Sequence, residues 1–440
     1  MSFINQGKEL RLHIGRKAQG LFALSNSRPS VTDMIKVSEA DRLRELIPIR
    51  HARMSVSPFA FYRGTAGIMA YDLSFQPRTD IIVQAIGDCH LMNFGGFATP
   101  ERTLIFDAND FDETLPASWE WDIKRLATSF VLAARHNCLK EAGAKEIAFI
   151  LVQSYRRHII EFEQMDLLDL WYMKFDVGSI RDQSKSREMK QMLDDAVIKA
   201  QKETNEKFFY KITKQVSGKF EITDQPPLIY HVPEMDDKEQ MIRFLSDYSK
   251  TLYDDRRWLF DQYKLVDIAL KVTGVGSVGT RCYVILMMNE KEEPLLLQVK
   301  EAKSSVMEKF TAKSRYAHSG QRVVEGQRLV QAASDIFLGW STGSDGRHYY
   351  LRQLRDLKIA PSVEQFDREL LTAYAKLCGR MLARAHVKTG HASLIAGYMG
   401  KSELIDEAIS NFAIAYANQT EKDFEDFKKA IKSGVLNVEV

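Results

Sequence analysis

Cysteine is scarce in this chain: Cys89, Cys138, Cys282 and Cys378 are its four, far apart and with no C-x-x-C pair. That spacing excludes a disulfide framework and a cysteine-based zinc site, and the four read as reduced thiols of a cytoplasmic protein. Excess charge is missing as well. The 61 Lys and Arg against 59 Asp and Glu leave a formal net charge of +2. No polyelectrolyte such as nucleic acid is therefore expected as a partner, although a local basic patch is not excluded. No apolar run approaches a membrane span, and "MSFINQGKELRLHIGRKAQG" holds no signal-peptide core, so no membrane partner is expected either. Repeats and low-complexity segments are absent. What is present is ordinary globular composition, 45% hydrophobic and 27% charged over 440 residues, a length that calls for two or three lobes.

The pattern divides the chain into four parts. Residues 1–78 read as a helical and loop segment, with helical turns in "SVTDMIKVSEADRLRELIPIR" and an irregular "SVSPFAFYRGTAG". Residues 79–261 open with two strands, "DIIVQAIGD" and "RTLIFDAND", separated by a glycine-rich loop. The helix "WEWDIKRLATSFVLAARHN" follows, its apolar face formed by Ile123, Leu126, Ala127, Phe130, Val131 and Ala134. Further helices, a small strand excursion within 210–234 and a helix over 236–262 complete this part. Residues 262–358 are rich in strands, and 359–440 return to helix. The fold class is α+β, a large helical lobe beside a small β-rich one.

In the β-rich part "GVGSVG" carries Gly274, Gly276, Ser277 and Gly279. A dinucleotide fingerprint needs a helix directly after such a loop, whereas "TRCYVILMM" reads as a strand. Glycines of a plain hairpin turn are the simplest explanation. Strand, G-x-G-x-x-G, strand is also the arrangement that covers ATP phosphates in protein kinases, where absent Cβ atoms let backbone N–H groups come close. The next strand, "LLLQVKEA", places Lys300 in an apolar run. A lysine there either snorkels to water or meets an anion, and the kinase arrangement gives it the α- and β-phosphates, braced by a glutamate of the next helix. Glu325 is the best-placed glutamate. Glu301 points to the opposite face of the strand.

The stretch "IGDCHLMNFGGFATPERTLIFDANDFD" gathers Asp88, Asn93, Asp107, Asn109, Asp110 and Asp112. So many oxygens repel one another unless a cation or a hydrogen-bond network absorbs the charge. A kinase catalytic loop sets its Asp five residues before an Asn, and Asp88 stands five residues before Asn93. On that reading Asp88 accepts the proton of an attacking hydroxyl, and Asn93 with Asp107 or Asp110 holds Mg²⁺. Asp107 ends its strand, Asp110 begins a D-F-D string, and Asp112 ranks third. A calcium loop fails, because Phe111 stands at its fifth position and Asp112 where glycine is required. Asx-turns and helix caps account for one or two of these residues. His90 is expected to support the loop and Asp122 to cap a helix start or anchor the loop. Arg63 is expected either against an anionic substrate or bracing carboxylates.

Together, "PIRHARMSVSPFAFYRG", "GDCHLMNFGGF", "FDANDFDET", "WEWDIKRLA", "GVGSVGTRCYV", "LQVKEA", "RQLRDLK" and "LARAHVKTG" resemble the bacterial family called domain of unknown function 2252, over nearly the whole chain. That family looks like a distant member of the protein-kinase-like superfamily, which includes aminoglycoside and choline phosphotransferases. Their G-D-x-H-x-x-N loop is matched by Gly87, Asp88, His90 and Asn93. The resemblance implies a two-lobed kinase-like fold, ATP and Mg²⁺ as cofactors, and transfer of a phosphoryl group to a hydroxyl of an unidentified small molecule. Transfer of AMP to a protein and a non-catalytic nucleotide-binding regulator are the alternatives. The order of the parts is inverted relative to a kinase, since the glycine loop follows the catalytic-like segment. A circular permutation is therefore expected, with the helix "LLTAYAKLCGRMLARAH" standing where a kinase helix leads into the catalytic loop. It requires Lys300 to lie within a nucleotide's length of Asn93 and of Asp107 or Asp110. By order alone, Arg352, Gln353 and Arg355 mark a hinge, and the backbone of 351–354 is expected to meet adenine.

Overall fold

The computed structural model describes residues 2–202, 205–232, 237–354 and 361–439, so Arg355 lies outside the described residues. The fold is mixed α+β. Four short strands open the acidic region: β1 (Ile82–Ala85), β2 (Phe94–Ala98), β3 (Leu104–Ala108) and β4 (Leu115–Ser118). They form two antiparallel pairs, β1 with β4 and β2 with β3. The glycine-rich loop expected between two strands is itself β2, with Gly95 opposite Asp107. Glycine carries little strand propensity, and cross-strand pairing overrides it here.

Helix 120–136 follows, and it is buried from Glu120 to Ala134. Its apolar residues enter the main core, where they meet the long helices Glu141–Glu163, Arg368–Thr389 and Leu404–Lys432. Its polar residues Asp122, Arg125 and Ser129 are also buried, so that face serves other protein groups rather than water. The segment "SVSPFAFYRGTAG", expected to be irregular, forms helices Pro58–Arg63 and Ala66–Ser74. Ser57 caps the first by accepting the Ala60 N–H at 3.1 Å, and Pro58 fits the first turn, where its missing N–H is not needed.

Strands β5 (Thr213–Val216) and β6 (Lys219–Ile222) make a small hairpin. The six-stranded antiparallel sheet is built from β7 (Ile229–Tyr230), β8 (Lys264–Lys271), β9 (Cys282–Met288), β10 (Pro294–Glu301), β11 (Gly339–Thr342) and β12 (His348–Gln353). Its order is β11-β12-β10-β9-β8-β7. β7 comes from a segment grouped by pattern with the helical part. The helix expected over 236–262 is two, Lys238–Ser249 and Asp254–Phe260. Phe244, Leu245, Tyr248 and Phe260 from these helices cover one face of the sheet against Ile285, Leu297 and Leu351. The β-rich unit thus draws in chain well before residue 262. On the other face Phe208, Phe209, Ile212 and Ile222 cover Ala269, Val284, Leu286 and Leu296. Side chains alternate along a strand, so Leu296, Gln298 and Lys300 share that second face, and it turns toward the acidic loops.

Candidate functional site between the sheet and the acidic loops

Gly87 has φ +88°, and a Cβ there would stand 2.3 Å from the Glu113 carbonyl oxygen. Only glycine permits that approach between the Asp88 loop and the 110–113 loop. Asp122 holds the loop from below: its carboxylate accepts the N–H of Ile86 (2.6 Å) and of Gly87 (3.0 Å). His386 Nε2 lies 3.2 Å from the same carboxylate, and its Nδ1 is 2.7 Å from the Tyr155 hydroxyl. Asp122 therefore anchors the loop rather than capping its own helix. From the 368–389 helix, the Tyr374 hydroxyl donates to the carbonyls of Leu91 (2.9 Å) and Phe94 (3.1 Å). The late helix thus packs against the Asp88 loop.

Within the loop, Arg125 Nε donates to Asp88 Oδ1 at 2.6 Å, and Asn93 Nδ2 donates to the Asp88 carbonyl at 2.6 Å. Arg63 is half-buried; desolvation lowers its pKa, and the Asp88 carboxylate partly offsets that. His90 is buried beside them, and desolvation pushes its pKa down to about 4. The imidazole is neutral at ordinary pH, which suits a packed support.

The two carboxylates expected to compete for metal have separate surroundings. Asp107 is fully buried; Arg384 Nη2 donates to both of its oxygens at 2.8 Å, and the Ala332 N–H donates to Oδ2 at 3.0 Å. Asp110 is 36% exposed, with Oδ1 3.6 Å from Lys300 Nζ. Asp112, ranked third from sequence, lies nearer: Lys300 Nζ donates to its Oδ2 at 2.5 Å, and the Tyr350 hydroxyl donates to its Oδ1 at 2.6 Å. Burial alone would discharge Lys300. The carboxylates of Asp110 and Asp112 outweigh it and hold the ammonium pKa well above the usual lysine value.

A cavity of about 1080 Å³ runs along this contact, and Asn109, Asp110, Gly274, Ser277, Gln298 and Lys300 are on its wall. That volume is at the upper end for ligand sites. Asp88, Asn93, Asp107, Gly276, Gly279 and Glu325 are off that wall. The glycine loop rests on the N-terminal segment. Arg53 Nη1 donates to the Gly274 carbonyl (2.6 Å), Arg42 Nη1 to that of Val278 (2.5 Å), and the Leu43 N–H to that of Gly279 (2.8 Å). Gly274 and Gly279 take φ of +70° and +85°, values that a side chain would strain.

Glu325 does not brace Lys300. It pairs with Arg328 at 3.1 Å, one turn along its own helix, while the lysine takes the carboxylates of the acidic loop. Gly326 next to it packs against the Thr114 side chain, which brings the helix and the loop together without Glu325. At the expected hinge, Gln353 and Leu354 line the cavity. Their N–H groups are committed within the protein, that of Gln353 to Asp335 and that of Leu354 to the Leu296 carbonyl (2.8 Å).

Sequence reasoning did not find Arg125, Arg384 or Gln327, and it named Arg352 only for a hinge, not for its hold on the Asn109 carbonyl. Buried arginines carry no local signature, because their partners are remote in the chain. A signal for Gln327 exists only in the run of polar residues on a helix that should be half apolar. Among the described residues no three His, Cys, Asp or Glu side chains gather as a metal cage. The cavity wall carries the carboxylates of Asp110, Glu292, Glu293 and Asp335 and the side-chain amides of Asn109 and Gln327, together with Lys300, Gly274 and Ser277.

The fold and site thus define a mixed α+β protein with a lysine and an acidic loop in contact beside a cavity. A family model described as "Uncharacterized protein conserved in bacteria (DUF2252)" matches residues 42–430, and the chain belongs to that family. No curated protein and no solved structure matches it. Among the described residues no helix is long and apolar enough to cross a membrane.

Proposed function

We propose that this protein is an ATP- and Mg²⁺-dependent phosphotransferase of the protein-kinase-like kind, circularly permuted, which acts on a hydroxyl of a small molecule. One observation carries the reading. Lys300 and Asp112, 188 residues apart in the chain, meet at 2.5 Å beside a cavity that Gly274 and Ser277 help to wall. Strand, glycine loop, strand, lysine strand and helix follow one another as in a kinase nucleotide lobe. The inverted order of the two halves is what a permutation leaves behind.

In this reading ATP supplies the phosphoryl group, and Mg²⁺ offsets the charge of its oxygens. Lys300 holds phosphate oxygens once Asp112 yields it. Gly274 and Ser277, on the same cavity wall as Lys300, supply backbone N–H groups. Asp88, oriented by Arg125 and by the loop that Asp122 anchors, takes the proton of the acceptor hydroxyl. Asp107 is left out of the metal set in this reading, because Arg384 Nη2 donates to both of its oxygens.

A second reading is favoured by the close ion pair between Arg125 and Asp88, which occupies the proposed base: a nucleotide-binding regulator without turnover. Titration calorimetry with ATP and Mg²⁺, followed by incubation with γ- or α-labelled ATP and a metabolite set, separates the possibilities. Phosphotransfer moves the γ label; movement of the α label instead means AMP transfer. Asp88→Ala is expected to keep ATP affinity and lose turnover. Binding without consumption of ATP favours the regulator, and no affinity for any nucleotide with divalent cation ends both readings.

A further inference from the structure

Gln331 Nε2 donates to the Ala108 carbonyl at 2.7 Å. A carbonyl accepts only, so the Gln331 amide cannot be reversed, and its Oε1 must face a donor. That donor is Gln327 Nε2, at 2.9 Å. The chain of amides thereby fixes the remaining atom, Gln327 Oε1, as an acceptor on a side chain only 4% exposed, with no partner in the protein. Gln327 and Gln331 both line the cavity. Asn109 Oδ1 is a second buried oxygen on the same wall without a protein partner. Arg352 Nη1 holds the Asn109 carbonyl at 3.1 Å, which sets the backbone, and Asp110 follows directly.

We infer that Asn109, Gln327 and Asp110, all on the cavity wall, form a divalent-cation site, which keeps Asp110 of the set that the sequence suggested and replaces Asn93 and Asp107. Hard cations take oxygen ligands of mixed charge and complete their shell with water. Two amide oxygens and one carboxylate from two elements supply such a set. Asn93 and Asp107 are both off the cavity wall, and Arg384 donates to both Asp107 oxygens. The inference deepens the nucleotide-dependent reading, but it is tested without nucleotide, so each can fail separately.

Mn²⁺ serves as the probe, its free concentration followed by electron paramagnetic resonance during titration of the full chain. Asn109→Asp adds a charge to the oxygen set without changing its size. It is expected to bind Mn²⁺ about tenfold tighter than the unaltered protein, as affinity rises with ligand charge. Gln327→Glu is the second variant, expected to tighten binding in the same direction, and Asp110→Asn is expected to weaken it at least as much. Thermal melting of each variant shows that it is folded. Equal Mn²⁺ affinity in Asn109→Asp, Gln327→Glu and the unaltered chain, or no depletion of free Mn²⁺ by any of them, overturns the inference.

Discussion

Asp107 and Asp110 stand three residues apart at the end of one strand. The first is sealed in the interior against Arg384, and the second stands at a cavity wall 3.6 Å from Lys300. A buried carboxylate with a buried guanidinium is a structural unit: removing one partner strands the other charge. A partly exposed carboxylate can exchange its partner for a ligand at little cost. Sequence position alone ranks the two as equals, whereas burial divides their tasks.

The sharpest way to break that comparison is to remove each carboxylate in turn. Asp107→Ala is expected to destabilise the protein by about 3–5 kcal/mol in urea unfolding, because Arg384 keeps its charge without a partner. Asp110→Ala is expected to cost less, about 1 kcal/mol, because Lys300 keeps Asp112 at 2.5 Å, while losing Mg²⁺-dependent ATP affinity. Equal destabilisation by both would remove the distinction.

Gly87→Ala tests the contact between the two loops. Its positive φ costs about 1–3 kcal/mol in a residue with a side chain, and the Cβ must also displace the Glu113 carbonyl. A variant as stable as the unaltered protein would mean that the loops do not meet as described.

A smaller effect comes from pH. The His90 pKa lies at about 4 in the folded protein, lowered mainly by burial, against about 6.5 in an unfolded chain. The unfolded chain therefore takes up the proton first. The stabilisation is complete above about pH 6.5 and declines as pH falls toward 4, by about 2 kcal/mol at pH 5. His90→Asn is expected to flatten that part of the stability–pH curve, and an unchanged slope would place the acid sensitivity elsewhere. The smallest effect is expected from Glu325→Gln, which removes a partly exposed pair with Arg328. It should change stability by less than about 1 kcal/mol and leave ATP affinity unaltered.

The sequence was most legible where a signal is local. The apolar spacing of the 120–136 helix, and the β8–glycine loop–β9 hairpin followed by Lys300 on β10, are patterns of neighbours along the chain. Legibility failed where pairing at a distance overrides propensity. β2 is strand despite Gly95 and Gly96 because β3 lies beside it, and the 58–63 helix forms around a proline that its first turn accommodates. The lysine's partner was misjudged because Glu325 is near in sequence, whereas Asp112 is near only in space.

The amino-acid sequence by itself determined the alternation of elements, the lysine and glycine loop in one region, and the oxygen-rich loops in another. These depend on side-chain period and backbone preference, which act over a few residues. Tertiary structure alone decided which oxygens are satisfied inside the protein and which are offered to the cavity. Charge compensation and burial depend on what stands within a few ångströms, and for Asp107 that neighbour comes from 277 residues away in the chain.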